Sequence, residues 1–508
     1  MFFWKRPKTN PQSPKVGTTL YPSLEKNLQR FREDIFANDD TIQYREFRTQ
    51  APRARSCVLI QAENMSSDEV LSNYVVRPVL GCSVPKNRKD REVIDYLING
   101  VIQSDRIHVQ TNYKELANEI LSGRGVLLVD GCTAGIVIQA QGWPKRSVAE
   151  PVAENVVRGP RQGFTEEIGS NISLVRRKIK TTKLKTKYLE IGVQTRTSVA
   201  VVFVDGLAAP SLVAEVFRRL EALRIDGVLE SAYIEELIRD SPNSLLPTIG
   251  STERPDIVAA RLLEGRVAIL VDGTPFVLTV PFLFLEAFQA NEDYYKSWLS
   301  GSFDRLLRYL CFFLTVFTPA LYISLINYHP QLIPTELILS ISSARANVPF
   351  PSVVEAAAMT LMFEILREGG IRLPQPVGQA ISIVGAVVLG DAAVSANLVS
   401  APMIIIVGIT AVSGFVVPRL QDSAVLLRMI FLLLAAILGL YGILFATIGL
   451  VIQLASMESF GVPYLSSLTS FSVQDSKDTL VRAPQSSMIK RPKFLSPKNR
   501  VRMRGDRS

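Results

Sequence analysis

Three carboxylates stand where a carboxylate is expensive. Glu355 and Glu364 lie in the apolar run Phe350–Leu366, and Asp391 is the only ionisable residue between Arg372 and Arg419. At a bilayer centre a charged side chain costs roughly 2.5–3.5 kcal/mol on insertion scales, so it persists there only with water, a partner or a function. The chemistry open to such groups is cation attraction: like carboxylates from several copies of a chain, gathered around one axis, draw cations along it. Asp391 is the first candidate to line or cap such a path, with Glu355 and Glu364 as competitors and the small-residue run Gly385–Ala396 as its wall. The alternative for Asp391 is a turn between two spans, where water is near and the cost vanishes. Nine residues of helix set Glu355 and Glu364 about 180° apart, which suits an interfacial or pore-facing helix better than a lipid-facing one.

Catalytic groupings are missing from the sequence. The two histidines, His108 and His329, lie in different halves of the chain, so neither an HExxH pair nor a triad can be assembled from them. Gly123-Arg124-Gly125 lacks the third glycine and the preceding strand of a nucleotide fold. Asp130, Asp205 and Asp272 each open an Asp-Gly pair, where the carboxylate is expected to serve the local backbone of a turn. Neither a Walker A motif nor a kinase set occurs, so the sequence reads as a non-enzyme without cofactor. Cys57, Cys82, Cys132 and Cys311 show no metal spacing and read as reduced thiols.

The elements that must position the three carboxylates are apolar. Met429–Leu454 runs 26 residues without a charge; as one helix it would reach about 39 Å, more than the ~30 Å of a hydrocarbon core. Leu306–Ile326 reads as a first span, flanked by Arg305 and Arg308 and kinked at Pro319. Val377–Gly390 and Leu398–Val417 read as two further segments, and Phe350–Leu366 either crosses or re-enters. Residues 301–457 are thus expected to form an all-α multi-span membrane domain of four to five segments. Basic residues crowd both ends of the chain, from Lys5 to Lys15 and from Lys477 to Arg507, within a net charge of +9. Beside membrane spans they read as positive-inside retention and contact with anionic lipid rather than nucleic-acid binding, which puts both termini in the cytoplasm.

Charge concentrates before residue 305, so a cytosolic α/β half of two lobes is expected to precede the membrane domain. Residues 1–20 read as a disordered basic tail, 21–155 as lobe one, 156–195 as a basic linker helix region and 196–300 as lobe two; 458–508 read as a basic cytoplasmic tail. Two apolar runs joined by Asp-Gly recur at 123–138 (GRGVLLVDGCTAGIVI) and 265–280 (GRVAILVDGTPFVLTV) and predict β-hairpins. A third strand with its Asp-Gly, Val199–Gly206, leads into the helical pattern Leu212–Leu223. The linker carries nine basic residues between Arg158 and Lys187. It reads as a solvated helix, or as a surface for anionic lipid or a neighbouring subunit.

Four long motifs carry a resemblance. They are ERPDIVAARLLEGRVAILVDGTPFVLTVPFLFLEAFQANEDYY at 253–295, RGPRQGFTEEIGSNISLVRRKIK at 158–180, NVPFPSVVEAAAMTLMFEILREGGIRLPQPVGQAISIVG at 347–385, and the closing RPKFLSPKNR. In this order they resemble the GerA family, the A subunits of bacterial spore germinant receptors, over nearly the whole chain from Tyr21. The resemblance implies a multi-pass protein of the spore inner membrane that works with a transporter-like B subunit and a lipoprotein C subunit. It also implies an oligomer that passes ions when a nutrient is sensed. An auxiliary channel component or a non-conducting scaffold remains open beside that reading. A secondary transporter is disfavoured, because so few spans without an inverted repeat cannot build a paired broken-helix site.

Overall fold

The fold is that of a computed structural model, which describes residues 18–51, 54–84, 90–104, 106–142, 151, 154, 156, 158–372, 390–469, 475–492, 494–495 and 499–502. The expected disordered tail and the first part of the segment Val377–Gly390 lie outside the described residues, apart from residues 18–20 and 390. Thr18 and Leu20 exchange backbone bonds with Tyr113 and Thr111.

In lobe one, apolar runs give three central strands buried on both faces, flanked by two edge strands that are largely exposed. β1 (Ile42–Arg48), β2 (Ser56–Ala62), β3 (Ile107–Gln110), β4 (Gly125–Val129) and β5 (Gly135–Ile138) form an antiparallel sheet in the order β1-β2-β4-β5-β3. Cys57, Leu59, Leu127, Val129 and Ile136 point to the face covered by α2 (Asp68–Leu71), α3 (Arg77–Gly81) and α4 (Asp90–Gly100). Val58, Ile60, Val126, Leu128 and Val137 point to the face covered by α1 (Leu24–Gln29) and α5 (Tyr113–Leu121). Helices on both faces let the central strands β2, β4 and β5 be apolar nearly throughout, while the edge strands β1 and β3 stay mixed. All four cysteines are free and buried.

Lobe two repeats this plan strand for strand. β6 (Leu184–Ile191), β7 (Thr197–Val204), β8 (Gly250–Thr252), β9 (Val267–Val271) and β10 (Val277–Val280) take the order β6-β7-β9-β10-β8, again antiparallel. α6 (Ile168–Lys178) and α9 (Pro255–Leu263) cover one face; α7 (Pro210–Ala222) and α8 (Ser231–Ile238) cover the other. The correspondence reaches single hydrogen bonds. Asp130 accepts the N–H of Leu24 at the start of α1, and Asp272 accepts that of Ile168 at the start of α6, both at 3.1 Å. Asn27 clasps the backbone of Tyr21 as Asn171 clasps that of Thr165. Gly123 and Gly265 both take positive φ, +81° and +97°, just after α5 and α9, where a residue with a Cβ would be strained. The chain therefore holds a tandem duplication, of which the recurrent hairpins at 123–138 and 265–280 are the most legible part.

Two expectations are corrected by this plan. The stretch 156–195 is no solvated linker: α6 and β6 are the second-lobe counterparts of α1 and β1, and Ile172, Leu174, Val175 and Ile179 are buried against the second sheet. The basic residues misled because two of them, Arg176 and Lys185, are themselves buried in the fold. The carboxylates of Asp130 and Asp272, for their part, serve helix starts 106 and 104 residues away rather than their own turns.

After the short α10 (Glu292–Tyr295) the chain becomes apolar and helical. α11 (Trp298–Tyr328) has 31 residues and contains Pro319. It is followed by α12 (Thr335–Arg345), α13 (Ser352–Arg372), α14 (Ala401–Phe415), α15 (Gln421–Leu438) and α16 (Leu440–Ser456). Among the described residues, two helices are long and apolar enough to cross a membrane, Trp298–Tyr328 and Pro418–Leu438; Ala401–Phe415 and Leu440–Ser456 are apolar but shorter. The expected unbroken span Met429–Leu454 does not exist as one helix. Gly439 breaks it at φ +60°, ψ −136°, and α15 and α16 fold back on each other so closely that a Cβ on Gly442 would meet the Leu434 carbonyl at 2.0 Å. Ala435 with Ile443, and Phe431 with Ala446, share one core in that hairpin. Tyr328 seals the turn with its hydroxyl on the carbonyl of Ile437, 3.1 Å away.

Nor is the segment after residue 457 a free tail. Glu458–Ser459 and Val462–Pro463 pair as a small hairpin on lobe two. Ser459, fully buried, donates to the Thr248 carbonyl at 2.6 Å and accepts from the Phe282 N–H at 3.1 Å. Phe282, Phe288 and Leu246 of lobe two share a core with Cys311, Leu454 and Tyr464, so the border at residue 300 is a packed seam.

Candidate functional site

Glu355 and Glu364 both lie on α13, on opposite sides as their spacing requires, and each is engaged within the chain. Glu355 is 1% exposed. Its Oε1 accepts the backbone N–H of Ser400 at 2.6 Å and the Ser400 hydroxyl. Ser400 is the N-cap of α14, so the carboxylate sits at a helix start, where the positive end of the backbone dipoles favours an anion by about 0.3–1 kcal/mol, up to ~2 when partly buried. Oε2 faces Arg345 Nε at 3.8 Å, an ion pair without a hydrogen bond. One carboxylate thus joins α12, α13 and α14.

Glu364 faces two guanidinium groups. Its Oε1 accepts from Arg428 Nη2 on α15, and Oε2 lies 2.8 Å from Arg367 Nε. Arg428 is 3% exposed, so Glu364 is the counter-charge of a cation held inside the helical half. Nothing in the sequence pattern marked Arg345, Ser400 or Arg428 as partners of these carboxylates. Asp391 differs from both. It is exposed, in the helical residues 390–395 before the turn 396–397, and among the described residues no hydrogen bond or ion pair joins it to any side chain.

A second charged cluster closes the seam beside α11. Arg305, which flanks the expected first span, is fully buried: its Nε is 3.3 Å from Asp293 Oδ2 and its Nη1 is 3.0 Å from Asp478 Oδ1. Arg308 reaches the same Asp293 carboxylate at 2.5 Å. Arg482 donates to the carbonyls of Asp293 and Lys296, the latter at 3.0 Å, and the Tyr294 hydroxyl donates to Asp478 Oδ2 at 2.7 Å. The closing segment is thereby tied to lobe two and to the first long helix. Burial of these groups depends on parts of the chain some 180 residues apart, which no local pattern displays.

A duplicated three-layer α/β unit thus runs on into an apolar helical half that holds buried ion pairs and in which, among the described residues, two helices are long enough to cross a membrane. The profile described as "Bacillus/Clostridium GerA spore germination protein" matches residues 29–494, and the chain belongs to that family. It is similar to spore germination protein KA of Bacillus subtilis (strain 168), 38% identical over 97% of this chain and 91% of that protein. It is also similar to spore germination protein B1 of the same organism, 37% identical over 95% and 99%. The uncharacterized membrane protein YfkQ of B. subtilis is 42% identical over 94% of this chain and 93% of its own length. Among solved structures, the N-terminal domain of the A subunit of the Bacillus megaterium spore germinant receptor GerK3 aligns with 53% of this chain and 99% of that domain, at 30% identity and a TM-score of 0.41.

Proposed function

We propose that this chain is an A-type subunit of a nutrient-responsive germinant receptor, a multi-pass protein of the spore inner membrane with its N-terminal half and C-terminal segment in the cytoplasm. In this reading it works with a transporter-like B subunit and a lipoprotein C subunit, and copies of it surround a gated ion path. Its likeness to spore germination proteins along nearly their whole length carries the reading. Asp391 supports the ion path, being exposed and without a cation among the described residues. Carboxylates so placed on several copies keep their charge for a passing ion. Glu355 and Glu364, already satisfied by Ser400, Arg345 and Arg428, then hold the wall in shape.

The same pairing of Glu355 and Glu364 favours a second reading, a non-conducting scaffold or an auxiliary channel component, because two of the three candidate charges are neutralised inside one chain. Potassium release from spores separates the readings. Removing a receptor subunit abolishes the response to one nutrient and spares the others; removing an auxiliary component slows the response to all. A deletion that leaves every response unchanged refutes both.

A further inference from the structure

Lobe two, the start of the helix Pro418–Leu438 and the closing segment meet around a cavity of about 580 Å³. Five arginines line it, Arg261, Arg266, Arg419, Arg491 and Arg502, against three carboxylates, Asp256, Glu264 and Glu286. Most of these charges are matched. Arg266 pairs with Glu286, Arg502 with Glu264 at 2.9 Å, Arg419 with Glu154 at 3.0 Å, and Asp256 with Arg254 at 2.9 Å. Two cations are left over among the described residues. Arg261 on α9 is 7% exposed, donates to the Thr279 hydroxyl and lies against the Phe282 ring, with no carboxylate at ion-pair distance. Arg491 donates only to the carbonyls of Leu263, Asn499 and Val501 and to the Asn499 side chain.

Burying a cation without a counter-charge is costly, and the cost shows at Arg261. Burial, then the neighbouring Arg419 and Arg266, push its guanidinium down to about 9, against the smaller pull of Glu286 and Glu154. Burial and Arg502 lower Arg491 in the same direction.

We propose that this cavity is an anion site for a phosphate group, gripped by Arg261 and Arg491 and shared by lobe two, the closing segment and the membrane-side Arg419. Guanidinium forks match phosphate oxygens two at a time; a monoester dianion balances both cations left over, and a phosphodiester headgroup offsets one of them. Ile257, Ala260 and Leu263 give the cavity an apolar wall for the organic part of a phosphate ester. Such a group arrives either on a free phosphate ester or on an anionic lipid, since Arg419 stands at the first turn of a helix long enough to cross a bilayer. The site stands apart from the receptor reading and from Asp391.

The test uses the full-length protein in zwitterionic detergent, with thermal unfolding followed against glycerol 3-phosphate, dioctanoyl phosphatidylglycerol and dioctanoyl phosphatidylcholine at matched ionic strength. A concentration-dependent rise in Tm is expected with the first two. Apparent affinity should fall at least tenfold in R261Q and in R491Q and stay unchanged in R500Q, whose side chain is exposed outside the cavity. Tighter binding of phosphatidylglycerol than of glycerol phosphate assigns the lipid source; equal or weaker binding assigns the free ester. No shift beyond that of chloride, or the same loss in R500Q as in R491Q, overturns the proposal. Should R261Q fail to fold, R491Q against R500Q decides alone.

Discussion

Arg176 and Asp39 face each other across the seam between the two lobes, 137 residues apart in the chain. Arg176 Nη2 stands 2.9 and 3.0 Å from the two carboxylate oxygens, and the side chains are 1% and 0% exposed. Thr41 accepts from the same nitrogen at 2.6 Å, while Nε and Nη1 of Arg176 have no hydrogen-bond partner among the described residues. A residue that the sequence places in a solvated basic linker is in fact the buried cation that joins the lobes.

Removing Asp39 leaves that cation buried and unbalanced, which costs on the order of 3–5 kcal/mol. D39A should lower the Tm of the full-length protein in detergent, read by tryptophan fluorescence, more than the double variant D39N/R176M, in which neither charge remains. Equal losses in the two would mean that the seam does not depend on the pair.

The duplication makes a paired prediction. D130A and D272A each remove a side-chain acceptor from the first N–H of a helix, in α1 and α6, and each should cost about 1 kcal/mol within a range of ~0.5–2. The sites lie in different lobes, so the double variant should show the sum to within about 0.5 kcal/mol in urea unfolding. A loss at Asp272 with none at Asp130 would break the equivalence of the lobes.

Gly439 separates two architectures. In the hairpin it holds φ +60°, ψ −136°, and a Cβ there would meet the Tyr328 ring at 2.9 Å and its Cβ at 3.0 Å. G439A should therefore destabilise by roughly 1–3 kcal/mol from backbone strain alone. In one continuous helix the same change would stabilise by up to ~1 kcal/mol. The sign of the Tm shift settles which is present.

Asp391 and Glu364 should part company. D391N changes an exposed side chain and is expected to leave Tm and membrane level unaltered, within about 0.5 kcal/mol. Ion release from D391N spores then reports on the path itself: reduced or reselected flux supports it, and unchanged flux returns Asp391 to its turn. E364A strips the counter-charge from Arg428 and should cost about 3–5 kcal/mol, seen as lost membrane protein before any effect on flux.

The sequence by itself determined what depends on neighbours in the chain. Apolar runs around Asp-Gly yielded the hairpins β4–β5 and β9–β10, and helical spacing yielded α7 within a few residues. The composition change near residue 300 placed the apolar half, and four ordered motifs pointed to the family. Everything that rests on distant partners was decided by the tertiary structure. Ile168–Lys178 looks like a basic linker until its apolar side meets the second sheet and Arg176 meets Asp39. Met429–Leu454 looks like one span because hydropathy sums composition, whereas the break at Gly439 depends on packing between its two halves and against Tyr328. Glu355 and Glu364 look like free charges because Ser400, Arg345 and Arg428 reach them only once α12, α14 and α15 are packed around α13. A local pattern fixes which face of a helix is apolar; what that face and its charges touch is fixed only when the whole chain closes on itself.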